Sequence, residues 1–116
     1  MVTIALCVAL AGGAVSAPDD TPVERGKSFA RENCARCHSI EMEGASPYPS
    51  APPFRILHKR YDVGDLAEAL AEGIVVVHNG GGEQMPEYML EPDQIDDLIA
   101  FLRSLQPQGS ARAALR

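Results

Sequence analysis

Three stretches of the chain repeat their apolar positions at helical spacing. Val23, Gly26, Phe29 and Ala30 fall on one face at i, i+3, i+6 and i+7, which predicts an amphipathic helix. Thr21 can cap it, Pro22 suits its first turn, and Glu24 completes a capping box. Gly26 in mid-helix costs stability, so its use is the close approach of a second helix. That partner is the stretch from about Pro92 to Leu105, where Ile95, Leu98, Ile99, Leu102 and Leu105 form an apolar stripe with Phe101 beside it. A middle helix is expected from about Val63 to Glu72, with Leu66, Ala67 and Leu70 inward and Gly73 as its stop. Ser46 to Pro53 is too rich in proline for regular structure. The β-branched run Ile74 to Val77 has no second strand to pair with and is read as extended chain. No internal repeat occurs. The pattern predicts an all-α domain of three or more short helices.

Composition sharpens this picture. A chain of 116 residues argues for one small domain. Its net charge of −6 and pI near 4.9 argue against a nucleic-acid binder, which needs a basic stripe to displace counterions. Aromatic residues make up only 5%, with no Trp, which is thin for a packed interior. Something other than the chain's own large side chains is expected to fill the middle.

The first 17 residues carry no charged side chain, and Ile4 to Leu10 form a short apolar run. Val15, Ser16 and Ala17 then supply the small residues a signal peptidase accepts, although the usual positive charge near the start is missing. Residues 1–17 are therefore expected to be a signal peptide cleaved after about Ala17, or a membrane anchor if left uncleaved. The bulky Leu6 before Cys7 argues against a lipidation site. Residues 18–105 would form the domain and 106–116 a polar, frayed tail.

With Cys7 removed, Cys34 and Cys37 remain, spaced C-x-x-C and followed at once by His38. A structural zinc site needs two more ligands at close spacing, and His58 and His78 stand alone and far apart. A thioredoxin-like pair follows a strand, and none precedes it here. A plain disulfide leaves His38 without a purpose. Covalent attachment of a c-type haem remains: two thiols three positions apart can each form a thioether with one haem vinyl group, and the adjacent imidazole can bind the iron. Such attachment takes place outside the cytoplasm, in agreement with the N-terminal pattern.

A sixth ligand is sought among the methionines. Met42 lies too close to His38 to reach round a flat macrocycle. Met85 follows Gly80, Gly81 and Gly82 and precedes Pro86, a loop that can present a thioether without a helix or strand dictating its direction. Met89 competes, His78 would give bis-histidine ligation, and an open position is the remaining alternative. Tyr48, Tyr61 and Arg55 are candidates for the haem propionates, and Arg55, Lys59 and Arg60 form a small basic cluster.

The chain resembles the class I cytochrome c family over nearly its whole mature length. The resemblance rests on Cys34-Ala35-Arg36-Cys37-His38, on Pro52-Pro53-Phe54, on Met85-Pro86, and on the C-terminal stretch from Gln94 to Leu102, in that order. It implies one haem c bound through Cys34 and Cys37, with His38 and Met85 as axial ligands. It also implies a carbonyl of Pro52 or Pro53 behind His38, and Pro53 is the expected member of the haem surroundings. The acidic balance departs from the strongly basic mitochondrial members.

The function expected is one-electron transfer between a donor and an acceptor redox protein, by a monomer in the periplasm. Nothing resembles a general base or a small-molecule substrate pocket, so an enzyme is not expected. The alternatives are a haem-based ligand sensor with a displaceable sixth ligand, and the cytochrome subunit of a periplasmic dehydrogenase.

Overall fold

The computed structural model describes residues 12–13, 20–73 and 85–109. The N-terminal segment to Asp19 other than Gly12 and Gly13, the run Ile74 to Val77, His78, the glycines before Met85 and the last seven residues lie outside them. The described residues hold three α-helices, α1 (Pro22–Asn33), α2 (Leu66–Glu72) and α3 (Pro92–Leu105), with two short 3-10 helices, Phe54–Lys59 and Val63–Asp65, and no β-strand among them.

Helix α1 starts where its sequence says it should. The Thr21 hydroxyl accepts from the Glu24 backbone N–H at 3.2 Å, and Pro22 occupies the first turn, where its missing N–H costs nothing. Its buried face is Gly26 and Ala30, with Val23 and Phe29 partly covered. That face packs on α3, whose stripe of Ile95, Leu98, Ile99, Phe101, Leu102 and Leu105 is buried. The crossing requires Gly26: a Cβ there would overlap the Asp97 carbonyl and lie 2.8 Å from the Phe101 Cβ. Beside it the Arg25 guanidinium grips Asp97 with both arms, at 2.8 and 2.9 Å.

The middle helix begins later than its periodicity suggests. Val63–Asp65 form a 3-10 turn, with the Asp62 carboxylate accepting from the Gly64 N–H at 2.7 Å, and α2 proper runs from Leu66. Gly73 ends it at φ 98°, a conformation that favours glycine. The proline-rich stretch is irregular, as expected, but a 3-10 helix over Phe54–Lys59 was not foreseen.

The C-terminal boundary also needs correction. Gln106, assigned by sequence to a polar tail, is buried. Its Nε2 donates to the Phe54 and Leu102 carbonyls at 2.8 and 2.9 Å, while its Oε1 accepts from the His58 backbone N–H and Nδ1–H. One amide thereby satisfies the loose end of α3 and the start of the 3-10 helix together.

Gly26→Ala should lower the stability of the haem-loaded protein by about 2 kcal/mol, because backbone must move to admit the methyl group. Thermal unfolding should show a Tm about 10 °C below that of the native sequence.

Candidate haem site

The attachment motif lies in the turn that ends α1. The chain coils past the helix, with the Cys37 and His38 N–H groups donating to the Cys34 carbonyl at 3.1 and 2.9 Å. This turn and the proline-rich stretch are stitched together by Tyr48 N–H to the Cys37 carbonyl (3.1 Å) and Phe54 N–H to the Ser39 carbonyl (2.9 Å). His38 is buried, and its Nδ1–H donates to the Pro52 carbonyl at 2.8 Å. A carbonyl can only accept, so Nδ1 carries the proton and the lone pair lies on Nε2. Phe54 braces the imidazole, with ring centroids 4.9 Å apart and planes tilted by 36°.

A cavity of about 240 Å³ opens beside this imidazole. Cys34 and His38 line it from the attachment turn, Phe54 and Leu57 from the 3-10 helix, and Leu98 and Leu102 from α3. Met85, Tyr88 and Leu90 line it from the segment leading into α3. Met89, the competing thioether, is 71% exposed and does not line it. His78 lies outside the described residues.

The lining is largely apolar, and its two solvent-exposed members are Arg60 and Tyr61. Burial pushes the Tyr61 hydroxyl above its ordinary pKa, partly offset by the charge on Arg60. A flat apolar macrocycle with carboxylates at one edge fits such a site: apolar walls, an imidazole and a thioether facing the interior, and a cation at the rim.

Three expected neighbours are placed differently. Pro53 does not back the histidine; Pro52 does, while the Pro53 carbonyl accepts from the Ile56 N–H at 3.2 Å to start the 3-10 helix. Arg55 does not line the cavity, for its guanidinium donates to the Ser39 hydroxyl and the Glu41 carbonyl at 3.3 and 3.4 Å. Tyr48 is half-buried but also lies outside the lining, as does Cys37. Arg60 lines the cavity where Arg55 does not: the 3-10 helix sets Phe54 and Leu57 three apart on that side, and Arg60 caps the helix three residues further on.

Burial raises the Cys34 thiol to about 11. A thiol buried in this way stays protonated at neutral pH.

The profile of the Cytochrome c family matches residues 23–106, a span running from the first turn of α1 to the buried Gln106. The chain belongs to the cytochrome c family. It is a haem-binding electron-transfer cytochrome with an all-α fold, and its cofactor is covalent haem c. No curated protein and no solved structure matches the chain.

A chain of this size buries too little surface by itself to reach the usual stability of a small domain, so the group that completes its interior carries much of the fold. A Cys34→Ser/Cys37→Ser cytochrome, unable to retain haem, should accordingly lack a cooperative thermal transition by circular dichroism. A sharp transition in that variant would contradict this.

Proposed function

We propose that the cytochrome is a one-electron carrier of class I type, with haem stitched to Cys34 and Cys37 and its iron held between His38 and Met85. The observation that carries this reading is the shared lining of one apolar cavity by Cys34, His38 and Met85, in a chain where Met89 faces solvent. Bound haem supplies a ferric–ferrous couple, and the chain sets its potential and its access. The Nδ1–H bond to Pro52 orients His38 and raises the donor strength of Nε2. The soft thioether of Met85 favours ferrous iron, and apolar walls penalise the extra charge of the ferric state, so both raise the potential.

With His38 and Met85 holding the iron, no position on the metal would be left for a substrate. Electrons then pass during brief docking of donor and acceptor redox proteins, which suits a small interface guided by modest electrostatics. The N-terminal pattern of an apolar run followed by Val15-Ser16-Ala17 supports export to the periplasm. The cytochrome acts there as a monomer.

The reduced protein should leave its spectrum unchanged under carbon monoxide at neutral pH. Met85→Ala should bind carbon monoxide stoichiometrically, lose the weak sulfur-to-iron band of the ferric form, and have a lower potential. Rapid binding by the native sequence would instead favour a ligand sensor.

A further inference from the structure

Tyr88 stands three residues after Met85. It lines the haem cavity, and its hydroxyl donates to the Asn33 carbonyl at 3.0 Å. Asn33 is the last residue of α1 and the neighbour of Cys34. Carbonyls in a last helical turn have no following helical N–H to accept, and here a tyrosine from across the fold supplies the donor. The Asn33 side chain tightens the same turn by donating to the Phe29 carbonyl at 2.9 Å. Two residues beyond Tyr88, the buried Leu90 donates its N–H to the Leu70 carbonyl of α2 at 3.1 Å. The segment that carries Met85 is thus fastened to α1 by a side chain and to α2 by its backbone. Met89, between the two fastenings, points to water.

We propose that Tyr88 is the positioning residue for the Met85 thioether. Its hydroxyl ties the Met85 segment to the helix end that carries the attachment cysteines, and so resists displacement of sulfur from iron. This rests on Met85 being the sixth ligand. Displacing the sulfur requires the segment to swing away, and that motion breaks the Tyr88–Asn33 bond. An external ligand binds only the fraction of molecules with the thioether detached, so its apparent affinity reports that fraction. Tyr88→Phe keeps the ring and removes only the donor.

Imidazole titration of the ferric cytochrome, followed by the sulfur-to-iron band, tests this in the native sequence, Tyr88→Phe, Met85→Ala and Thr21→Ala. Thr21→Ala removes the cap at the far end of α1 and controls for a general loss of stability. Tyr88→Phe should lose the band at about fivefold lower imidazole, as expected for one hydrogen bond made in the closed state alone. Thr21→Ala should titrate with the native sequence. Equal affinities for Tyr88→Phe and the native sequence would overturn the proposal, as would an equal shift in Thr21→Ala. Failure of the ligation reading looks different: the band would be missing from the native protein or would survive in Met85→Ala.

Discussion

The bond from His38 Nδ1–H to the Pro52 carbonyl, 2.8 Å long, joins two stretches that neither helix propensity nor periodicity would bring together. It fixes which imidazole nitrogen keeps the lone pair, and it fixes the plane of the ring. The supporting contacts converge on it: Phe54 packs on the imidazole, the Phe54 N–H reaches back to Ser39, and the Tyr48 N–H reaches back to Cys37. A flexible carboxylate or water could orient a histidine too, but a backbone carbonyl next to a second proline has little freedom to move. The cost of rotating the ring is therefore shared by the whole turn.

The helices make that turn possible. α1 must end close to α3, and Gly26 permits the approach by having no Cβ where the Asp97 carbonyl passes. Gln106 then fastens the far end of α3 to the 3-10 helix that holds Phe54. The two helices and the proline-rich turn form a frame whose apolar residues face a space the chain does not fill itself. The scarcity of aromatics and the apolar cavity beside His38 agree with an interior completed by the cofactor.

Much of this was readable from the sequence, and the reasons are local. Helices α1 and α3 announce themselves by period and by Pro22 and Pro92 in their first turns. Cys34, Cys37 and His38 carry their chemistry in their spacing. The glycine at 26 could be read as a helix contact because a mid-helix glycine otherwise costs stability with no return. The register of Pro52 against Pro53 was not readable, since both residues satisfy the same local preferences and only the tertiary position of His38 distinguishes them. Arg55 and Arg60 stood in the sequence as members of one basic cluster, and only the 3-10 turn between them shows that Arg60 lines the cavity while Arg55 turns to Ser39 and Glu41. Gln106 looked like the start of a tail, and the role of the Tyr88 hydroxyl depends on a partner 55 residues away.

The central claim is that a single haem is covalently part of this chain, held at the Cys34–His38 turn. Acid–acetone partition of the purified protein, paired with its intact mass, tests that directly. The pigment should remain with the polypeptide, and the mass should exceed that of the polypeptide alone by one haem. Pigment released into the acetone, or a mass equal to that of the bare polypeptide, would contradict the claim.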